Sequence, residues 1–269
     1  MAAETMAIIE AGCYRSPADR DVRIGAGVGD AVAGTRLYLP GETLPAQPRQ
    51  GSGRPVTEVT NETSLSAARR LGPDAACLVF ASAKNPGGGF LSGAQAQEES
   101  IARSSALYPC QTAAGEFYSF HRRQGDLRYS DRVIYSPHVP VFRADDGALL
   151  DQPCAVSFLT AAAPNLGAIA ANQPTAAATV PGVLATRAAR VLAVAAAHGH
   201  RRLVLGAWGC GVFRNDPAVV AETFARQLAR TQGHFDHVVF AVLDRQRGTP
   251  AHAAFTRALC LLTARSATT

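Results

Sequence analysis

The stretch "AACLVFASAKNPGGGFLSGAQAQEES", residues 75–100, decides the fold. It opens on AACLVFASA, an apolar run suited to a buried strand. It then passes through three consecutive glycines, Gly87, Gly88 and Gly89, and ends in a helical pattern that carries the adjacent acids Glu98 and Glu99. Strand, glycine loop and helix in that order form the repeating unit of an α/β protein.

The same alternation recurs outward from this stretch. VTEVT reads as a short strand and SLSAARRL as a helix, both N-terminal to it. On the other side RVIYSPHVPVFR and PCAVSFLTAAAP read as strands, and LATRAARVLAVAAAHG as a helix ended by Gly199. RRLVLGAW is a further strand. PAVVAETFARQLART is a helix with Asp216 as N-cap and Pro217 as its first residue. HVVFAVLD and PAHAAFTRALCLLTA close the series as strand and helix. Strands alternating with helices specify a three-layer α/β fold with a mixed, largely parallel sheet flanked by helices. The first forty residues read as partly helical (ETMAIIEAGCYRS), then irregular, and Leu39–Pro55 as a loop. Forty residues are too few to bury a core of their own. The expected organisation is therefore one domain over 1–269, with an N-terminal helical extension, 1–55, packed on an α/β core, 56–269.

Composition agrees and excludes several classes. The chain has 269 residues, 47% hydrophobic and 17% charged, which allows a sizeable core and rules out a disordered or collagen-like protein. A formal net charge of +5 suits an anionic ligand but is too scattered to argue for nucleic-acid binding. The cysteines, Cys13, Cys77, Cys110, Cys154, Cys210 and Cys260, form no CxxC pair and read as small, buried, reduced thiols. Residues 1–17 lack the pattern of a secretory signal. No uninterrupted apolar run is long enough to span a membrane, because the Ala-rich segment 185–197 carries Arg187 and Arg190. A cytoplasmic protein is expected.

Ligands of open α/β sheets collect at the carboxyl ends of strands. Two glycine-rich loops fall at such ends: Gly87–Gly89, and GAWGCGVFRNDP at residues 206–217. Without a Cβ, glycine lets backbone N–H groups approach a phosphate. Each loop taken singly reads equally well as a tight turn; the pair reads better as a phosphate cradle. Neither nucleotide fingerprint, G-x-x-x-x-G-K-[ST] or G-x-G-x-x-G, describes the second loop. Ser92 and Gln95 match a capping box, which predicts a helix from about Gly93 with Glu98 and Glu99 two turns in. Adjacent helical residues point about 100° apart, so the two carboxylates serve different places. Glu98 shares its face with Ile101, Ala102 and Ser105. Glu99 has Arg103 at i+4, and spacing alone favours an exposed ion pair.

GGGFLSGAQAQEE resembles the GGG, short spacer, QEE pattern of the poly(ADP-ribose) glycohydrolases, with seven residues between Gly89 and Gln97. GAWGCGVF resembles their diphosphate-binding loop, and both surroundings are similar to the ligand loops of macrodomains. The likeness is to the compact bacterial type and runs from Val56 onward. It implies a macrodomain that cleaves ribose–ribose bonds in poly(ADP-ribose) and releases ADP-ribose. Glu99 would then be the catalytic carboxylate, Glu98 would hold ribose hydroxyls, and Asn85 would bind the distal ribose. Gly87, Gly88 and Gly89 would approach ribose and phosphates beside the Gln97 of the motif. Gly209, Cys210, Gly211 and Val212 would offer N–H groups to the diphosphate, with Phe213 against the distal ribose, its alternative being an ordinary core position. Glu62, with Asn61 nearby, would accept from the adenine amine, or else VTNETS caps a helix. Phe240 is the one aromatic near the place where the animal enzymes stack adenine, and the stacking partner stays open.

Such a cleavage passes through an oxocarbenium-like state and needs a proton on the leaving oxygen. Glu99, its pKa raised by burial, would give that proton and then activate water. No metal or other cofactor is expected: His198 and His200 are i,i+2, HExxH is absent, and His121, His138, His234, His237 and His252 read as structural or surface residues. The expected partners are ADP-ribosylated protein or polymer as substrate and ADP-ribose as product, with no membrane or nucleic acid, for a monomer. Two alternatives stand: a non-catalytic ADP-ribose reader, which would not need the acids, and a hydrolase of mono-ADP-ribosylated substrates on the same fold.

Overall fold

Alternate residues of Ala75–Phe80 enter opposite cores, which is how a strand buried on both faces behaves. Ala76 and Leu78 belong to one apolar cluster, Cys77 and Val79 to another. The structure, a computed structural model, describes residues 1–45, 53–231 and 233–265. Part of the expected 39–55 loop lies outside them; its described residues lie outside any helix or strand.

The elements run α1 (Ala2–Ala11), β1 (Cys13–Arg15), β2 (Asp21–Arg23), α2 (Gly25–Gly34), β3 (Arg36–Tyr38), β4 (Val56–Thr60), α3 (Ser64–Leu71) and β5 (Ala75–Phe80). They continue with α4 (Gln97–Ser104), α5 (Leu107–Ala113), α6 (Glu116–Arg123), β6 (Val133–Arg143), β7 (Leu149–Ala161) and α7 (Leu166–Asn172). The last are α8 (Val180–Ala197), β8 (Arg202–Leu205), α9 (Pro217–Arg230), β9 (His237–Ala241) and α10 (Pro250–Arg265). Seven strands form the main sheet in the order β3-β6-β7-β5-β8-β9-β4. The pairs from β7 through to β4 are parallel, while β3/β6 and β6/β7 are antiparallel. The expected mixed, largely parallel sheet is present. Its parallel arrangement puts the carboxyl ends of β4, β5, β7, β8 and β9 along one edge.

Helices cover both faces. Leu203, Leu205, Val238 and Phe240 pack with Val191 and Leu192 of α8, Phe224 of α9 and Phe255 of α10. Val204 and Val239 on the other face pack with Leu65 of α3, Ile101 of α4, Leu107 of α5 and Ala31 of α2. Asp216 caps α9 as expected, accepting from the Ala218 N–H at 2.7 Å. By length and composition the stretch Pro174–Ala197 could cross a membrane. Here it lies on the sheet, and its buried Arg187 donates to the Ala162 carbonyl at 2.7 Å and to Asp131 at 3.0 Å.

Three departures from expectation have physical causes. The segment after α1 is not irregular: β1 and β2 form a hairpin, and β3 joins the main sheet against β6. Three-residue strands are too short for alternation to show. The glycines of α2, which make it read as a loop, allow close packing: a Cβ on Gly34 would stand 2.6 Å from the Pro137 ring. Second, the helix expected from Gly93 begins at Gln97. Gly93 has φ +89°, and Ser92 Oγ donates to the Gly89 carbonyl instead of capping. Third, that helix breaks at Ser105, whose backbone is extended and bridges to Val141 while its Oγ returns to the Ile101 carbonyl at 2.7 Å.

Candidate active site

Late helix initiation puts Glu98 and Glu99 in the first turn of α4, directly against the glycine loop. A Cβ on Gly88 would stand 2.3 Å from Glu99 Oε1 and 3.1 Å from Glu98 Oε2, and its φ is +58°. Glycine is required here twice over, for backbone conformation and for space. Glu99 Oε1 accepts from the Gly89 N–H at 2.9 Å and Oε2 from the Ala96 N–H at 3.2 Å. The expected ion pair with Arg103 is absent. That guanidinium instead donates to the Ala94 carbonyl at 2.6 Å and to Ser100, and Glu99 is only 9% exposed.

Glu98 lies deeper, at 2% exposure. Its Oε2 accepts from the Ser82 N–H at 2.6 Å and its Oε1 from Gln111 Nε2 at 2.8 Å. Gln111 Oε1 in turn accepts from the Gly87 N–H at 2.8 Å, so one side chain ties the glycine loop to the acid. Burial pushes the Glu98 carboxyl up to about 8, against the lowering effect of the Ser82 and Gln111 bonds. Gln111 and the Ser82 amide carry no motif in sequence; only the fold brings them to the acid.

The Gln97 amide is bonded within the protein, at the wall of the cavity described below. Its Oε1 accepts from the Phe80 N–H at 2.8 Å, and its Nε2 donates to the Leu78 carbonyl at 2.8 Å and to Ser64 Oγ at 3.0 Å. The amide is engaged in clamping α4 to the end of β5 and the start of α3, a positioning role at the cavity wall. Asn85 is exposed on the loop between β5 and the triple glycine.

The second loop leaves β8 beside the first. A Cβ on Gly206 would lie 2.5 Å from the Ala241 carbonyl, and one on Gly209 (φ +72°) would lie 2.5 Å from Ala163 Cβ. Asn215 braces the loop from beneath, donating to the carbonyls of Pro164 at 2.9 Å and Gly209 at 3.0 Å. Trp208 is buried, with Nε1 on the Ala161 carbonyl at 2.9 Å. The Cys210 N–H is occupied by the Ala207 carbonyl at 3.1 Å, so it is unavailable to a phosphate in this conformation, contrary to expectation. Among the described residues no acceptor takes the N–H groups of Gly209, Gly211, Val212 or Phe213. Val212, 86% exposed, forms the crest. Phe213 is half-buried against Tyr129, ring centroids 6.0 Å apart.

Between the second loop, the start of α4 and the ends of β4, β5 and β9 lies a cavity of about 610 Å³, lined by Glu62, Phe80, Gly211, Val242, Asp244 and others. Glu62 lines it but is paired with Arg70 at 2.7 Å. Asn61 holds the Asp244 backbone from both ends of its amide, which corrects its expected place beside the ligand: it ties β4 to the loop after β9. Thr63 caps α3. Phe240 is fully buried against Phe224 and Phe255 and is not among the residues that line the cavity. Phe80, at the end of β5, is the aromatic on the cavity wall. In sequence it is merely the last residue of an apolar run, and only the sheet's edge exposes it.

Among the described residues no group of three His, Cys, Asp or Glu gathers to hold a metal. His198 and His200 engage Tyr38 at 2.7 Å and Tyr135 at 2.8 Å, and His200 sits beside Asp74 at the start of β5, the far edge from the glycine loops. Cys77 and Cys110 are buried as expected, whereas Cys13 and Cys260 are at the surface.

A mixed α/β sheet, two facing glycine loops at its strand ends and a buried acid pair on the intervening helix define a class of ligand-binding α/β proteins. The family described as microbial-type PARG, catalytic domain, matches residues 2–144, which contain the first loop and both acids. Poly(ADP-ribose) glycohydrolase from Thermomonospora curvata is similar over 96% of this chain and 97% of its own, at 54% identity and TM-score 0.88. Its complex with the inhibitor ADP-HPD aligns over 95% and 97%, at 53% identity and TM-score 0.86. The enzyme from Deinococcus radiodurans in complex with ADP-ribose is 48% identical over 88% of this chain and 98% of its own, TM-score 0.81. Comparison with curated protein sequences gave no match. The chain belongs to the microbial poly(ADP-ribose) glycohydrolase family.

Proposed function

We propose that this chain hydrolyses the ribose–ribose O-glycosidic bonds of poly(ADP-ribose) and releases ADP-ribose, with Glu99 as general acid and then base. Its membership of the glycohydrolase family and its similarity to enzymes crystallised with ADP-ribose and ADP-HPD support the substrate class. The observation that carries the residue assignment is the placement of Glu98 and Glu99 in one helical turn pressed on Gly88.

In this reading adenosine occupies the cavity between the second loop and the start of α4, and the diphosphate meets the N–H groups of Gly209, Gly211, Val212 and Phe213. The distal ribose lies by Asn85, Gly87–Gly89 and the Phe213 ring. Protonated Glu99 gives its proton to the 2′-oxygen as the C1–O bond breaks. The anomeric carbon then carries oxocarbenium character, stabilised by the adjacent diphosphate. Glu99, now ionised, takes a proton from water as that water attacks C1, which restores the acid. Glu98, whose burial favours its neutral form, hydrogen-bonds the ribose hydroxyls and adds no second negative charge beside Glu99 at neutral pH.

The test is ADP-ribose release from poly(ADP-ribosyl)ated protein by wild type and by Glu99→Gln. Release by the wild type, abolished in a folded variant that still binds ADP-ribose, is the expected result. Binding without release by either protein would make the chain a reader and overturn the proposal.

A further inference from the structure

The hydroxyl of Tyr118, on α6, is buried and has no hydrogen-bond partner among the described residues. Tyr118 is 1% exposed. A buried unpaired hydroxyl is destabilising, and phenylalanine would fill the same space without that cost. Its surroundings point to the acid pair. Tyr118 packs in a small cluster with Ala83, Ala114, Phe117, Ile134 and Ala162. The two groups that hold Glu98, and the hydroxyl behind Gln111, each lie within three residues of a member of that cluster. Ser82, whose N–H meets Glu98, precedes Ala83. Gln111, whose amide meets Glu98, lies one helical turn before Ala114, and Thr160, which receives the same amide at 3.5 Å, lies two residues before Ala162. Burial raises the phenol's pKa well above its ordinary value, and the charge of Glu98 raises it further.

We propose that Tyr118 is a positioning residue for this site, its hydroxyl donating a hydrogen bond to Glu98 in the substrate-bound state, directly or through one water. The inference rests on the reading of Glu98 as the group that holds the ribose. Other titratable groups facing the pair are Glu99 on α4 and Tyr108 on α5. His121, one turn beyond Tyr118, is turned away: its ring nitrogens are taken by the Phe117 carbonyl and Ser130, both at 2.7 Å. From the strands, β7 contributes the Thr160 hydroxyl.

The experiment compares wild type with Tyr118→Phe, reading kcat and KM on poly(ADP-ribose) across pH and the ¹³C titration of the Glu98 carboxyl with ADP-ribose bound. A donor favours the ionised carboxyl over the neutral one, so its removal should move the Glu98 titration upward by about one unit; with Glu98 neutral at the assay pH, kcat should fall by about three- to tenfold with KM little changed, the worth of a hydrogen bond between neutral groups. An unchanged Glu98 titration and pH profile, with a higher Tm, would show a merely unsatisfied hydroxyl and overturn the proposal. Should the variant not fold, wild-type protein grown on 3-fluorotyrosine supplies a stronger phenolic donor, and the Glu98 titration should move downward; no movement again overturns it. If wild type releases no ADP-ribose, the functional reading fails by itself, while the carboxyl titration still decides on Tyr118.

Discussion

Replacing Gly88 by alanine perturbs this site with one methyl group. The added Cβ would stand 2.3 Å from Glu99 Oε1 and 2.9 Å from its Cδ, where ordinary contact begins near 3.4 Å, so the carboxylate must retreat by about 1 Å. That retreat lengthens the 2.9 Å bond from the Gly89 N–H, one of the two that aim the carboxylate. A reactive group displaced by about 1 Å costs on the order of a hundredfold in rate. The backbone adds its own penalty, since φ is +58° and a left-handed conformation costs an alanine about 1–2 kcal/mol. At about 2–4 °C per kcal/mol in a chain of this size, Tm should fall by several degrees. Gly93→Ala separates the two effects. Gly93 has φ +89°, yet a Cβ there meets nothing within 4 Å. Both variants should lose similar stability, and Gly88→Ala alone should lose kcat, assayed as ADP-ribose release at saturating polymer. Near wild-type turnover in folded Gly88→Ala, or an equal loss in Gly93→Ala, would refute the claim that the glycine exists to admit the acid.

Two further outcomes follow from buried groups. Burial and its neighbours lower the His121 imidazole to about 4. A folded value below the unfolded one near 6.5 makes stability rise with pH across that window, and the contribution, full above the unfolded value, is lost as pH falls through the folded one. Between pH 7 and pH 4 the wild type should lose about 3 kcal/mol more than His121→Gln, at about 1.36 kcal/mol per unit. Thermal unfolding of both proteins across that range checks it, and parallel curves would count against it. Gln97→Leu should strand the Phe80 N–H and the Leu78 carbonyl, each costing about 1–3 kcal/mol. Its Tm should therefore drop by several degrees, with ADP-ribose affinity falling only as far as the α4 start moves; calorimetry with ADP-ribose separates the two, and a loss of binding at unchanged Tm would return Gln97 to the ligand.

The layers of the fold were legible because each central strand is an apolar run buried on both faces and each covering helix has an apolar stripe. The edge was not. β3 has three residues and makes sense only paired with Val133–Tyr135 of β6, and α2 is rich in glycine and makes sense only against the prolines of that strand. The site divides in the same way. Glycines and acids announced themselves as local pattern, and their order in the chain matched a family. What they do to each other depends on where α4 begins, and that is set by the φ of Gly93 and by an amide, Gln97, bonded to a strand and a helix distant in sequence.

That dependence explains why flexible backbone lies beside paired acids. Had the helix begun at Gly93, Glu98 and Glu99 would sit two turns from the loop, with Glu99 free to pair with Arg103. Starting at Gln97, the first turn carries its acids into N–H groups donated by Ser82, Gly89 and Ala96. Only a residue without a side chain fits in the remaining space at position 88. The glycines and the acids are therefore one structural unit, and a substitution in either is read out by the other.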